Sequence, residues 1–169
     1  MDNQSLDTIY RSYMIDIYRY LLSLCGDSYL AEDIVQETFL RAFLYIEDIN
    51  NINNIKPWLF SVAYHTFVDV KRKAKFNVIK EDYFFGNIMQ MDSPEKKVIL
   101  KKQVQEIRQI INKMKEKQKH AILLVDFHQL SYQEAATVMS VNVPHLKVLL
   151  FRARKAVVKR QYERSKFDE

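Results

Sequence analysis

Leu130 to Lys159, LSYQEAATVMSVNVPHLKVLLFRARKAVVK, is the stretch on which the fold turns. Ser131 and Glu134 stand in the S-x-x-E spacing of a capping box, in which a serine hydroxyl and a glutamate carboxylate each satisfy an amide that a helix start leaves orphaned. This spacing predicts a short helix from Tyr132 to Met139. Ser140 and Val141 break it, Asn142 can cap a second helix, and Pro144 suits a first turn, where a missing N–H is harmless. Beyond the break, Leu146, Leu149, Leu150, Ala153 and Val157 recur at three- and four-residue steps and face inward, leaving Lys147, Arg152, Lys155 and Lys159 on the surface. Two helices around a tight turn, the second basic along its length, form a helix-turn-helix suited to a groove lined by phosphates. An ordinary helical hairpin with a solvated basic face is the plain alternative.

Only two glycines and three prolines in 169 residues, with 48% hydrophobic residues, predict an all-α protein able to bury a core. No apolar run is long enough to cross a bilayer, and the polar start MDNQSLD is unlike a signal peptide, so a cytoplasmic protein is expected. The single Cys25 excludes an internal disulfide and, within YLLSLCG, reads as a small core residue. His65, His120, His128 and His145 show no metal-ligand spacing with one another or with Cys25, so neither metal nor cofactor is expected.

Charge divides the chain. Residues 1–70 hold four Lys/Arg against ten Asp/Glu, residues 71–75 (KRKAK) hold four with no acid, and residues 93–169 hold seventeen against eight. An acidic front and a basic back predict two modules with different partners, the basic one meeting nucleic acid.

In the front module, Ile9, Tyr13, Ile17, Leu21 and Leu24 fall at helical steps and Gly26 marks a stop. Asp27 or Ser28 can cap a second helix whose buried side is Leu30, Ile34, Val35, Thr38, Ala42, Phe43 and Ile46. Asp33, Gln36, Glu37 and Arg41 are left as a polar stripe, which is either a solvated face or a contact surface. A carboxylate enzyme using Glu32, Asp33 and Glu37 has no histidine, glycine-rich loop or further acidic cluster to support it. EDINNINNIK, residues 47–56, reads as a loop. Pro57 then opens a third helix with Leu59, Val62, Ala63, Thr66, Phe67 and Val70 inward, and Trp58, Ser61, Tyr64, His65, Asp69, Arg72 and Lys73 on its other side. Rings interleaved with a basic end suit single-stranded DNA, although a tryptophan at a helix start is equally a core-edge residue.

Taken in order, YLAEDIVQETFLRAF (29–43), KPWLFSVAYHTFVDVKRK (56–73) and LSYQEAATVMSVNVPHLKVLLFRARK (130–155) resemble the extracytoplasmic-function sigma factors of RNA polymerase. The resemblance covers nearly the whole chain and is specific through A-E-D-x-x-Q-E-T-F, P-W-L-F-x-V-A and L-S-Y-x-E-A-A together. It implies two small helical domains, residues 1–75 and 93–169, joined by a flexible linker over 76–92. At about 3.4 Å per residue the linker reaches on the order of 60 Å, the length of about 17 base pairs. The resemblance further implies that Asp33, Gln36, Glu37 and Arg41 contact the clamp helices of the largest polymerase subunit. Asn50, Asn51, Asn53, Asn54 and Trp58 would serve a flipped base of the minus-ten element, with Tyr64, His65, Arg72 and Lys73 beside the single strand. Val143, Pro144, His145, Lys147 and Val148 would read the minus-thirty-five duplex, with Arg152, Arg154 and Lys155 on phosphates or packing alongside. An anti-sigma partner, often membrane-anchored in such proteins, would hold the factor inactive, and no small-molecule substrate is implied. Relatives often carry Arg-Asn where this chain has Tyr64-His65, Ser-Arg at Val148-Leu149, and proline at Lys115. The first departure keeps a ring and a hydrogen-bonding group but removes a fixed charge, and the second moves readout away from hydrogen bonding, so promoter preference is not copied from relatives. A conventional operator-binding regulator remains the alternative from the helix-turn-helix.

Overall fold

The computed structural model of the chain describes residues 5–45, 54–74, 102 and 105–167, and among them every regular element is helical. The linker expected at 76–92, the helix restart at Ser93 and the candidates Asn50, Asn51 and Asn53 lie outside the described residues.

Helix α1 spans Leu6–Cys25, with Ser5 Oγ accepting the Thr8 amide at its start. Gly26, at φ 67°, returns its N–H to the Leu22 carbonyl and ends it. Glycine takes this left-handed φ without a Cβ clash, so the stop falls there. Helix α2 spans Ser28–Leu44 and is capped by Asp27, whose Oδ1 accepts the amides of Tyr29 and Leu30. Helix α3 spans Ile55–Ala74. It starts two residues before Pro57, which sits within the first turn, where the first N–H groups have no intrahelical acceptor.

Ala31, Ile34, Val35, Thr38, Phe39 and Ala42 form the buried arc of α2. Phe43, expected inside, is 55% exposed. At about 100° per residue it lies roughly 40° beyond Phe39, outside the arc that α1 and α3 cover. Thr38 and Thr66 are buried without cost to their hydroxyls, which donate to the carbonyls of Ile34 and Val62. From α3, Phe60 is fully buried beside the expected Leu59, Ala63 and Phe67. Cys25 is core, and burial pushes its thiol up to about 12.

Among the described residues of the back half, 105–112 are helical and form α4. Lys115, at the position where the resemblance family carries proline, holds φ −61°, the angle that a proline ring would fix. Helix α5, Glu116–Ile122, continues into a π turn, Leu123–Phe127, so the expected helix over 116–127 is continuous but widens at its end. Helix α6 is Tyr132–Met139, with Ser131 Oγ accepting the Glu134 amide. Ser140 at φ 56° makes the break, Asn142 Oδ1 accepts the His145 amide at 2.8 Å, and α7 runs Val143–Phe167. Leu146, Leu149, Leu150 and Ala153 are buried, and Val157 is half-buried. At about 1.5–3 kcal/mol per buried large side chain, this stripe is what holds α7 on α5 and α6.

Helices α1, α2 and α3 pack together, as do α5, α6 and α7. The two groups also meet directly, α3 lying on α6, and their buried residues form one contiguous core. Opposite charge predicts attraction between them, but the meeting surface is made of rings. Tyr20, Phe60, Tyr64 and Phe67 of the front half surround His120 and His128 of the back.

Candidate nucleic-acid and protein interfaces

The stripe on α2 is built by the helix period, which keeps Asp33, Gln36, Glu37 and Arg41 opposite or beside the buried arc. Asp33 and Gln36 are exposed, while Glu37 and Arg41 are half-buried and joined, Arg41 Nε to Glu37 Oε1 at 3.1 Å. A cleft of about 390 Å³ separates α2 from α3 and takes in Asp33, Glu37 and Arg41. From α3 it is lined by Thr66, Asp69 and Lys73. Asp69 thus joins the α2 carboxylates, and Lys73, expected on DNA, stands at the same cleft. The i, i+4 period of α2 is visible in the sequence. The arrival of α3 beside it is not.

On α3 the candidates divide. His65, Arg72 and Lys73 are exposed, and His65 Nδ1 lies 2.7 Å from the Ser61 carbonyl oxygen. Trp58 is half-buried against the core, so its ring serves packing at least in part. Asn54 donates from Nδ2 to Glu134 Oε1 at 3.4 Å, which directs that glutamate across to α3. Tyr64 lies edge-on to His120, ring centroids 4.8 Å apart. Its hydroxyl is pushed up first by burial and then by the Glu116 charge. The four candidates for one strand therefore divide: His65, Arg72 and Lys73 are open, and Tyr64 is turned towards His120.

The start of α7 presents a wide open face. Pro144, His145, Val148, Arg152 and Lys155 are all exposed, and Val143 is half-buried. At about 100° per residue, Pro144, His145, Val148, Arg152 and Lys155 fall within one half of the helix circumference, opposite the leucine stripe. Phe151 lies on this face and is 66% exposed. The four-residue steps that identify the inward leucines already leave position 151 outside, so an aromatic ring there is a legible signal.

Lys147 and Arg154 sit on the flank, where both have partners. Lys147 Nζ stands 5.9 Å from the centre of the Tyr132 ring. Arg154 makes a two-pronged pair with Asp126, Nε to Oδ2 at 2.9 Å and Nη2 to Oδ1 at 2.6 Å. The fork geometry fixes α7 to the π turn, and the hydrogen bonds to Asp126 raise the arginine pKa. Arg154 is thus placed to position the helix, while Arg152 and Lys155 remain outward. The Asp126 partner is 28 residues away in sequence, beyond any periodicity argument.

No helix among the described residues is long and apolar enough to cross a membrane. The family model described as Sigma-70 region 2 matches residues 9–76, and that described as Sigma-70, region 4 matches residues 104–157. The chain is 36% identical over 167 residues to the ECF RNA polymerase sigma factor SigM of Bacillus subtilis, spanning 98% of this chain and 99% of that one. It is 28% identical over 153 residues to the RNA polymerase sigma factor YlaC of the same species, spanning 89% and 88%. The fold matches the sigma factor RpoE of Bartonella quintana, solved with the anti-sigma factor NepR, at a TM-score of 0.77 and 20% identity, over 94% of this chain and 98% of that one. It also matches CnrH, solved with the cytosolic domain of CnrY, at a TM-score of 0.68 and 16% identity, over 94% and 88%.

Proposed function

The chain belongs to the extracytoplasmic-function sigma factors of RNA polymerase, and from that premise we propose how its surfaces divide the work of starting transcription. The α2 stripe of Asp33, Gln36, Glu37 and Arg41 docks on the clamp helices of the largest core subunit, with carboxylates meeting basic groups across a solvated rim. Asp69 enters this contact from α3. Asn50, Asn51, Asn53, Asn54 and Trp58 receive a flipped base of the minus-ten element, and Tyr64 and His65 offer rings to the neighbouring strand. Arg72 and Lys73 follow its phosphates. The first turns of α7 enter the minus-thirty-five major groove, where His145 and Lys147 meet base edges and Val143, Pro144, Val148 and Phe151 meet thymine methyls. Arg152 and Lys155 contact phosphates, and Arg154 holds the helix at the angle this requires.

The observation that carries this reading is the open α7 face, cationic and apolar, on the same chain as a separate acidic stripe on α2. The protein works in the cytoplasm, catalyses no reaction and needs no cofactor or small-molecule substrate. An anti-sigma factor, often membrane-anchored in such proteins, holds it inactive; RpoE, of the same fold, was solved with the anti-sigma factor NepR.

Transcription from a genomic DNA library with purified core enzyme tests the proposal. Core-dependent start sites sharing upstream elements are expected. No start site, together with no association between the chain and core enzyme, would overturn it. A conventional regulator would act only when another sigma subunit is supplied.

A further inference from the structure

His65 is exposed on α3, and its own helix settles which ring nitrogen carries the proton. Nδ1 lies 2.7 Å from the carbonyl oxygen of Ser61, one turn back, and 3.4 Å from the Ser61 hydroxyl. A carbonyl oxygen only accepts, so a contact this short requires the imidazole to donate from Nδ1. In the neutral ring Nε2 is then a bare lone pair, and among the described residues nothing bonds to it. The ring is held a second time by Tyr64, whose ring stands 5.3 Å away at 87°. Tether and ring contact together remove rotamer freedom that an exposed side chain would otherwise lose on binding. The chain thus presents a fixed acceptor on an open surface.

Position on the helix narrows what meets it. Residues seven apart on a helix differ by about 20° in direction and by about 10 Å along the axis. Trp58, His65 and Arg72 therefore form one row on α3, on the order of 20 Å long, with the histidine midway. A strand that places a base at Trp58 and a phosphate at Arg72 passes over His65. An ionised phosphate has no proton to give, so it is repelled by the lone pair of the neutral ring.

We propose that His65 Nε2 reads one base of the opened strand by accepting a hydrogen bond from its exocyclic amino group, which selects adenine or cytosine over thymine and guanine. The inference rests on the promoter-strand reading of α3 and adds the chemical class of the base. Of the groups that each base shows on its major-groove edge, adenine N6 and cytosine N4 donate, whereas thymine O4 and guanine O6 and N7 accept. An accepting edge set against the histidine lone pair is both unpaired and repelled. An asparagine, which relatives often carry here, offers a donor and an acceptor and serves either kind of edge by rotating its amide. Turning the His65 ring over would break its bond to Ser61, so this chain does not have that latitude.

Two measurements test the inference. Nitrogen-15 NMR of the free, full-length protein with labelled histidine, at about pH 8.5 where imidazole is neutral, reads the tautomer of each ring. The His65→Gln spectrum identifies the signal of residue 65 by its loss. A proton on Nδ1 is expected, and a proton on Nε2 overturns the inference. Holoenzyme made from the full chain and core polymerase is then used to select from a random pool of single DNA strands, which are sequenced. One position is expected to favour adenine or cytosine by about three- to tenfold, the contribution of one hydrogen bond. His65→Phe, which keeps a ring without the acceptor, is expected to level that position and leave the preferences at the others. Purine in place of the favoured adenine, or 2-pyrimidinone in place of the favoured cytosine, lacks the amino group and should weaken binding by the same factor to wild type and not at all to His65→Phe. A His65→Phe protein that melts as wild type and selects the same strands overturns the inference, as does thymine or guanine at the position it levels. A chain that forms no complex with core polymerase refutes the promoter reading and the base contact with it, whatever the tautomer.

Discussion

Reversal of two charges on α2, Asp33→Lys with Glu37→Lys, separates the cost to binding from the cost to folding. Asp33 is exposed, so its replacement removes no buried contact. Glu37 loses one i, i+4 pair with Arg41, whose side chains are 44% and 37% exposed. Such a pair contributes about 0.3–0.5 kcal/mol, and the new like-charge neighbour costs about the same again. Stability should therefore fall by no more than about 1 kcal/mol, a few degrees in Tm for a protein of this size. Binding should suffer more. Each carboxylate facing a basic group on the clamp helices contributes up to about 1 kcal/mol, and its reversal adds repulsion of similar size. The double variant should lose about 2–4 kcal/mol, or roughly 30- to 700-fold in Kd. Fluorescence anisotropy of the labelled protein against core polymerase, beside a thermal melt by circular dichroism, measures both quantities. Asp7→Lys, on the far side of α1, is the control and should bind as wild type. A double variant that melts within a few degrees of wild type and binds core with unchanged Kd refutes the assignment of this stripe.

Leu146, on the buried side of α7 and fully buried, should cost about 2–5 kcal/mol when replaced by alanine, seen as a lower urea midpoint. Arg152→Ala and Lys155→Ala should each reduce the salt slope of duplex binding by about one, whereas Arg154→Ala should leave the slope and lower stability through the loss of Asp126; equal slope changes for all three would contradict the division of roles. Acid should destabilise the folded protein in two stages. His128, with its folded pKa lowered to about 4, contributes stability that is complete above about pH 6.5 and is lost as pH falls towards 4, roughly 3 kcal/mol in all. Glu116, lowered to about 2 by His120 and Lys71, contributes stability present above about pH 4.5 and lost as pH falls through 2. Melting temperature against pH tests this, and His128→Gln should remove the first stage only.

The boundaries of these helices are written in short-range chemistry, and so could be read from the residues. Ser131, Asn142 and Asp27 each satisfy amides two or three residues away, Gly26 bonds four residues back, and the leucines of α7 recur with the helix period. The same local period separates the cationic, apolar face of α7 from its buried side, which is why the helix-turn-helix and the acidic stripe of α2 are legible without coordinates. Other features depend on which helix arrives alongside. Phe43 is exposed because its neighbours stop short of it, and Arg154 is engaged because Asp126 has been brought to it. Tyr64 is covered because His120 comes from the other half of the chain. Tyr20 and His120 are 100 residues apart. No periodicity relates positions so distant. Only the packing of α1 and α3 against α5 and α6 decides that a tyrosine, two histidines and a pair of opposite charges close on one another.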